Sequence, residues 1–224
     1  MLDYGTRSMA DAVELEQVKS RDGETFRQLY AIYAASIVAR EQKPEGWLGA
    51  MIGAPEYRVW VAKEGGLVRG FSIVFHSAAA GFALLEYMAV ASEQRNRGLG
   101  RELFLRSVAF AAAPQGRKLP VLLEIDSDRE ASSDRAMRTR REQFYRRLGC
   151  LRIAGLRYLM PLPGEGASPE MDLMVYTAAP LERLARGEVK RWLATIYRDV
   201  YHCSLDDPRI EQMLRDLPDP VSVE

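Results

Sequence analysis

The 224-residue sequence predicts a mixed α/β fold, with a sheet that contains both antiparallel and parallel strands. Two strand-like runs, Arg58 to Lys63 and Val68 to Phe75, flank a Gly65-Gly66 turn, as in an antiparallel hairpin. Further along, the strand-like run Phe82 to Val90 leads through a glycine-containing turn into a helical pattern. Val121 to Ile125 is a continuous apolar run, typical of a parallel strand buried on both faces.

The N-terminal part is predicted to hold one strand and two helices. Apolar residues between positions 13 and 18 indicate the strand. After a helix start signal at Asp22, apolar residues recur at helical spacing until Pro44 ends the pattern. A short second helix is predicted over residues 47–52, and we expect Trp47 in the core.

The C-terminal half is predicted to alternate helices with strands. An apolar stripe indicates a helix over residues 99–111, and a second helix over residues 136–148 ends at Gly149, as a helix C-cap. Residues 153–160 and 171–177 have the composition of two final strands.

The residues beyond position 178 are an addition to this pattern. Helical spacing of apolar residues covers positions 184–200, and a short helix is predicted over residues 206–214. We therefore predict a domain over residues 1–178 and a C-terminal helical extension over residues 179–224 that packs on it.

Composition excludes several classes of function. Lys and Arg together number 31, as do Asp and Glu, so the formal net charge is zero and a nucleic-acid partner is not expected. Two cysteines and two histidines favour neither a disulfide framework nor a metal site. No apolar run approaches membrane-spanning length, and the N-terminus lacks the pattern of a signal peptide. We expect a cytoplasmic protein without a metal or a membrane partner.

The most informative stretch is Arg95-Asn96-Arg97-Gly98-Leu99-Gly100, between a strand and a helix. Its glycines allow a tight turn and a close approach of the backbone to a ligand. The following helix presents unpaired N–H groups and the positive end of its dipole, and Arg101 adds a further cationic charge. These features predict a loop that binds a phosphate or pyrophosphate group. The loop lacks the Gly-Lys-Ser/Thr of a Walker motif, and Leu103 stands where a dinucleotide fingerprint needs its third glycine.

The Arg-x-x-Gly-x-Gly spacing resembles the pyrophosphate loop of the GNAT superfamily, the acyl-CoA-dependent N-acyltransferases. Two more segments, in the family's order, extend the resemblance over about residues 10–178. Leu85 to Val90 resembles the family's strand before the loop, and Phe144 to Cys150 resembles its late F-Y-x-x-x-G-F segment. Cys150 stands where the pattern usually has an aromatic residue, and we interpret this change as a variation in the core.

The resemblance implies a GNAT-like acyl-CoA N-acyltransferase fold with an extra C-terminal helical segment. It also implies an enzyme that transfers an acetyl group from acetyl-CoA to a primary amine. In the family, backbone groups at the positions that match Met88 and Val90 bind the pantetheine arm. The cofactor-binding residues implied for this chain are Met88, Val90, Arg95, Asn96, Arg97, Gly98, Leu99, Gly100 and Arg101.

Two residues are the candidates for acid–base chemistry. Glu86 is a carboxylate in an otherwise apolar strand, where it is costly unless it is paired or functional. Some family members use a glutamate there as a base, directly or through water; the alternatives are an ion pair with an arginine, or positioning of the substrate. Tyr145 matches the tyrosine that many members place beside the coenzyme sulfur as general acid, and its alternative role is packing.

Glu124 and Asp126 lie near the end of a central strand, where ligands gather in α/β sheets. One of them is a candidate contact for the acceptor amine, with loop hydrogen bonding as the alternative.

Two alternatives to acetyl transfer stay open at this point. One is a non-catalytic acyl-CoA-binding module of the same fold. The other is an acyltransferase for longer acyl chains, for which the small residues Ala78 to Ala80 would leave room. The expected partner is a small-molecule or peptide amine, and both a monomer and a homodimer are compatible with the sequence.

Overall fold

The computed structural model describes residues 13–111, 116, 118–129, 132–162 and 168–224. The N-terminal sequence on which the prediction about a signal peptide rests lies outside these residues. The strands, in chain order, are β1 Glu14–Gln17, β2 Tyr57–Glu64, β3 Leu67–Ser77, β4 Phe82–Val90, β5 Val121–Asp126, β6 Leu151–Arg152, β7 Tyr158–Leu159, β8 Glu170–Tyr176, β9 Arg183–Leu184 and β10 Val221–Ser222. The α-helices are α1 Glu24–Ser36, α2 Glu45–Gly53, α3 Leu99–Phe110, α4 Arg135–Arg147, α5 Arg186–Thr195 and α6 Pro208–Leu214.

The main sheet has the mixed character that the sequence predicts. In the described part of the chain its strand order is β1-β2-β3-β4-β5-β8-β6, with β7 also paired to β8. β1 and β2 are antiparallel, β4 and β5 are parallel, and β5 and β8 are antiparallel. A separate antiparallel pair is formed by β9 and β10.

The chain divides into two compact units, of which the first comprises Met1–Val74 and Glu86–Phe110. Its largest core cluster contains Tyr33 of α1 and Phe71 of β3, both fully buried. Full burial of a large apolar side chain contributes roughly 1.5–3 kcal/mol to stability, so packing rather than helix propensity holds α1 in place.

The second unit comprises Phe75–Leu85 and Ala111–Glu224. Trp192 of α5 is fully buried, and its ring centroid lies 6.2 Å from that of Phe82. The backbone N–H of Arg152 donates to the carbonyl of Glu224 at 2.7 Å, so the chain end is hydrogen-bonded to β6. Residues 179–224 thus make both apolar and backbone contacts within this unit, and the proposed division at residue 178 stays a prediction.

Three details of the predicted elements are wrong. The predicted strand over 153–160 is interrupted, because Gly155 has a φ of 76° and forms a turn between β6 and β7. Trp47 is 51% exposed, because α2 buries the face that carries Leu48 and Met51 instead. The helix predicted over 184–200 starts later as α5 and ends in a π-helical turn, Ile196–Val200.

None of the helices in the described residues is both long enough and apolar enough to span a membrane.

Candidate active site

The predicted phosphate loop joins β4 to α3 and has the backbone that such a loop needs. Asn96 and Gly98 have left-handed φ angles of 65° and 90°. Asparagine and glycine are the residues that adopt this region at least cost. The carbonyl of Gly98 accepts from Arg101 N at 3.0 Å and from Glu102 N at 3.2 Å. The N–H groups of residues 99 and 100 therefore precede the first hydrogen bond of the helix and point out of its positive end.

Open space lies against this loop. A Cβ atom added to Gly98 would meet no other atom within 4 Å. Arg97, Gly98 and Arg101 also line a cavity of about 700 Å³, together with Glu64 and Arg69 of the neighbouring strands. The residues present therefore fit a pyrophosphate group, since a phosphate oxygen can approach the backbone where no side chain intervenes.

The arginine side chains of the loop form only weak contacts with their neighbours. Arg97 donates to Gln94 Oε1 at 2.5 Å and lies 3.8 Å from Glu64, and Arg95 Nε donates to the carbonyl of Val90 at 3.4 Å. The guanidinium of Arg101 contacts the neighbouring Glu102 at 3.3 Å. Such exposed contacts are worth little, so these side chains can turn toward an anion at small cost.

Met88 and Val90 lie on the part of β4 that follows its ladder with β5. In the described residues that ladder pairs Ala83 to Leu85 with Val121 to Leu123, so the backbone of Met88 and Val90 is not used in it. Their side chains pack against a cluster that includes Leu99 and Leu103 of α3. The apolar face of β4 thereby fixes the position of the helix that follows the loop.

Glu86 is a buried carboxylate in an ion pair with Lys43. Lys43 Nζ contacts Glu86 Oε1, and the side chains are 11% and 2% exposed respectively. The partner is thus a lysine, whereas the sequence-based alternative was an arginine. Breaking such a pair would leave an uncompensated buried charge. A role as base for Glu86 therefore requires its second oxygen, a water molecule or the displacement of Lys43.

The segment that carries Lys43 is tied down by several hydrogen bonds. Lys43 N donates to Tyr33 Oη at 2.6 Å, and Tyr87 Oη donates to the carbonyl of Glu41 at 3.0 Å. Gln42 Nε2 donates to the carbonyl of Ile37 at 2.7 Å. Burial raises the pKa of Tyr33, so its hydroxyl stays protonated. Hydrogen bonds of the segment between α1 and α2 therefore fix the position of Lys43.

Tyr145 lies buried in the last turn of α4, within the second unit. Burial is the main cause that raises the pKa of its phenol, with the Arg141 charge acting in the opposite direction. Tyr145 therefore keeps its proton well into the alkaline range. Gly149, with a φ of 90°, ends the helix, and Cys150 N donates to the carbonyl of Tyr145 at 3.0 Å.

Cys150 behaves as the core variation that the sequence suggests. The residue is buried, and burial raises the pKa of its thiol to about 12. A thiol with this pKa is a poor nucleophile at neutral pH.

Glu124 and Asp126 of β5 have different partners. Asp126 forms an ion pair with Arg141 of α4. Glu124 accepts hydrogen bonds from the hydroxyls of Tyr158 and, at 2.7 Å, of Tyr201. Sequence reasoning missed both tyrosines, as it missed Lys43, because no local pattern marks a partner that is distant along the chain. No group of three or more His, Cys, Asp or Glu side chains suited to a metal ion occurs in the described ranges.

Part of the sequence matches a protein-family model. Residues 55–149 match the model described as an acetyltransferase (GNAT) domain, and this range contains Glu86, the whole phosphate loop and Tyr145. No curated protein matches the chain by sequence.

Solved structures with the same fold come from several organisms. A chain described as a GNAT-family acetyltransferase from Bacteroides thetaiotaomicron is 20% identical, with a TM-score of 0.67 over 85% of this chain and 99% of that one. The ribosomal-protein-S18-alanine N-acetyltransferase from Escherichia coli is 17% identical, with a TM-score of 0.54 over 76% of this chain and 96% of that one. Ard1 from Thermoplasma volcanium is 16% identical, with a TM-score of 0.55 over 75% and 99% of the two chains. At these identities the similarity shows the fold.

The ion pair between Lys43 and Glu86 leads to a prediction about stability. Lys43→Met should lower the free energy of unfolding by about 3–5 kcal/mol, because the Glu86 carboxylate is left buried without its cation. Lys63→Met is the matched control: it removes the partner of Glu16, whose side chain is 43% exposed, and should cost at most about 1 kcal/mol. Urea unfolding of both variants measures the difference, and equal losses would contradict a buried pair at Glu86.

Proposed function

We propose that the protein transfers an acetyl group from acetyl-CoA to a primary amine, since its residues 55–149 match the model of a GNAT acetyltransferase domain. The observation that carries the proposal is Gly98, whose left-handed backbone faces open space at the positive end of α3. The amine attacks the thioester directly, and no covalent enzyme intermediate is needed.

The loop residues bind the pyrophosphate of acetyl-CoA in this proposal. Backbone N–H groups at the start of α3 donate to phosphate oxygens, and the loop arginines turn toward the charge. Backbone groups of Met88 and Val90 bind the pantetheine arm. The full set of proposed cofactor-binding residues is Met88, Val90, Arg95, Asn96, Arg97, Gly98, Leu99, Gly100 and Arg101. Acetyl-CoA supplies the activated acyl group, and no metal is invoked.

Tyr145 acts as the proton donor to the departing thiolate. Its buried phenol keeps its proton at neutral pH, which supports a donor role. A free thiol has a pKa of about 8.5, below that of Tyr145, so complete proton transfer from the phenol is uphill. A strong hydrogen bond from the phenol to the developing thiolate lowers the barrier without requiring that full transfer.

Glu86 acts as the base or as the holder of a water that accepts the amine proton. Its position in β4, between the core and the pantetheine-binding residues, supports this role. The ion pair with Lys43 supports the alternative in which Glu86 is structural. Kinetics of variants separate the two roles.

Acetyl is the acyl group proposed. The alanines that would make room for longer chains, Ala78 to Ala80, lie in the turn between β3 and β4, at the end of β4 opposite to Val90. This placement gives no support to a longer acyl chain. A non-catalytic acyl-CoA-binding module would bind acetyl-CoA but release no CoA with any amine in a broad panel, which is the outcome that separates it from an enzyme.

The phosphate loop is tested by titration with acetyl-CoA. Gly98→Glu should weaken acetyl-CoA binding roughly 10-fold or more, because the added side chain fills the open space and its charge repels the pyrophosphate. Gly81→Glu is the control: Gly81 also has a left-handed φ, 76°, and faces open space, but it lies outside the loop. Calorimetry of the parent and both variants gives the dissociation constants. Equal affinity in all three would remove the loop assignment.

The role of Tyr145 is tested by Tyr145→Phe, which keeps the ring and removes the hydroxyl. Loss of a positioned donor typically lowers turnover ~10²–10⁴-fold, and acetyl-CoA affinity should stay nearly unchanged. Release of free CoA with a reactive amine measures turnover. Tyr30→Phe is the control, because Tyr30 of α1 packs against the core of the first unit and has no proposed chemical role. Turnover of Tyr145→Phe at the level of this control would mean that Tyr145 only packs.

Glu86→Gln distinguishes a base from a structural ion pair. If Glu86 accepts the amine proton, turnover should fall and the acidic limb of the pH–rate profile should lose its carboxylate step. If the residue is structural, the main change should be a lower melting temperature, because Lys43 then lacks its anion. The pH–rate profile and thermal unfolding are measured on the same preparations. Unchanged kinetics with an unchanged profile would exclude Glu86 from the chemistry.

A further inference from the structure

The carboxylate of Glu124 is held by two tyrosine hydroxyls within the second unit. Tyr158 Oη donates to Glu124 Oε1, and Tyr201 Oη donates to Oε2 at 2.7 Å. Tyr158 is buried, whereas Glu124 and Tyr201 are each partly exposed. The protein therefore orients this charged group from the inside and leaves one side of the cluster accessible to solvent.

Glu124 lies at a position in the sheet where α/β proteins in general bind ligands. Leu123 makes the last pair of β5 with the parallel strand β4, and Glu124 is the next residue. Ligands of α/β sheets bind beyond the carboxyl ends of parallel strands, because side chains and loops there are not used by the ladder. Glu124 still pairs with Leu173 of β8 through its backbone, so its side chain is carried by a rigid strand.

Tyr201 lies in the C-terminal extension, and an irregular backbone before it sets the direction of its side chain. It follows the π-helical turn Ile196–Val200, and its N–H donates to the carbonyl of Ile196 at 3.2 Å. One extra residue in a helical turn changes the direction of the next side chain by about 100°. His202, directly after it, has a left-handed φ of 57°. Both features cost energy, and both are frequent at functional sites.

A second layer of contacts braces Tyr158. Tyr197 Oη donates to the carbonyl of Leu159, next to Tyr158, and the Tyr158 and Tyr197 rings meet edge to face with centroids 6.4 Å apart. The guanidinium of Arg209 lies 5.3 Å from the Tyr197 ring centroid and is paired with Asp207 at 2.6 Å. Burial and the charge of Glu124 raise the pKa of Tyr158, so its hydroxyl remains a donor.

We propose that Glu124, Tyr158 and Tyr201 bind the ammonium group of the acceptor, so that the C-terminal extension helps to select cationic amines. This inference rests on the proposed acetyl transfer. An ammonium carries a positive charge and three donors. A carboxylate offers about four lone-pair positions, and a tyrosine oxygen accepts as well as donates. The partly exposed Tyr201 ring adds attraction for a cation.

The test uses n-butylammonium and 1-butanol, two probes of equal length that differ in charge. Nuclear magnetic resonance titration of the full chain, without acetyl-CoA, gives the dissociation constant of each probe. The parent chain should bind n-butylammonium roughly 10-fold or more tightly than 1-butanol, the preference expected for hydrogen bonds with charged groups. No preference for the ammonium would overturn the proposal.

Variants identify the residues responsible for the preference. Glu124→Gln and Tyr201→Phe should each weaken n-butylammonium binding, and Glu124→Gln should remove the preference over 1-butanol. Glu124→Asp keeps the charge and should retain the preference. Glu170→Gln is the matched control: it removes a carboxylate of β8 that is paired with Arg157, outside this cluster, so its binding should match that of the parent. If Glu124→Gln binds n-butylammonium as tightly as the parent, the cluster only anchors the extension and the proposal fails.

Acetyl-CoA titration separates this inference from the function on which it rests. Glu124→Gln should bind acetyl-CoA with the affinity of the parent, and its KM for an accepted amine should rise more than its kcat falls. If the parent does not bind acetyl-CoA, the transferase proposal fails and the acceptor role fails with it. If the parent transfers acetyl groups while Glu124→Gln keeps its KM for the amine, only the ammonium site is overturned.

Discussion

In the described residues, the parallel ladder between β4 and β5 pairs Ala83 to Leu85 with Val121 to Leu123. Glu86 follows it on β4 and Glu124 follows it on β5. A longer ladder would use the backbone N–H and C=O groups that follow. The described ladder has only three pairs. Glu86 and Met88 of β4 therefore lie outside it, as does Glu124 of β5. The extent of this ladder therefore decides which backbone groups of each strand it leaves unused.

The two glutamates that follow the ladder are stabilised in different ways. Glu86 has a cation, Lys43, and its side chain is almost fully buried. Glu124 has neutral hydroxyl donors and is partly exposed. Burial of an ion pair costs desolvation of both charges, which good geometry offsets only in part, so the Lys43–Glu86 pair is poor evidence for stability by itself. Hydroxyl donors add no charge to the cluster, which is why the proposed ligand of Glu124 is a cation.

Two glycines with left-handed backbones lie at helix ends, Gly98 before α3 and Gly149 after α4. Gly98 lies directly before α3, and the space beside its Cα is open. Gly149 ends α4 directly after the turn that carries Tyr145, and a Cβ atom there would come within 3.7 Å of the Tyr176 ring. At Gly98 the missing side chain leaves room for a ligand, whereas at Gly149 it mainly allows the chain to reverse. The same residue type therefore leaves open space at one position and allows a chain reversal at the other.

Local features of the sequence were sufficient to predict most of the fold, including the glycine-containing turn between β4 and α3, whereas phosphate binding by that turn stays a prediction. The bounds of β4, the helix start after Gly98 and the helix end before Gly149 depend on residues close together in the chain, where periodicity and glycine conformation are decisive. Gly155 is one exception, since the apolar run around this turn residue predicts an uninterrupted strand. Whether Glu86 and Tyr145 act in chemistry stays a prediction.

Only the tertiary structure decided which side chains the two glutamates meet. Lys43 is separated from Glu86 by 43 positions, and Tyr201 from Glu124 by 77. No local sequence feature distinguishes Lys43 from the other lysines or Tyr201 from the other tyrosines. The packing of elements that are distant along the chain brings each of them to its glutamate. Trp47 shows the same limit, since its exposure depends on which face of α2 is covered. Backbone conformation is largely a local property, whereas the pairing of buried charges depends on contacts that form only when the whole chain has folded.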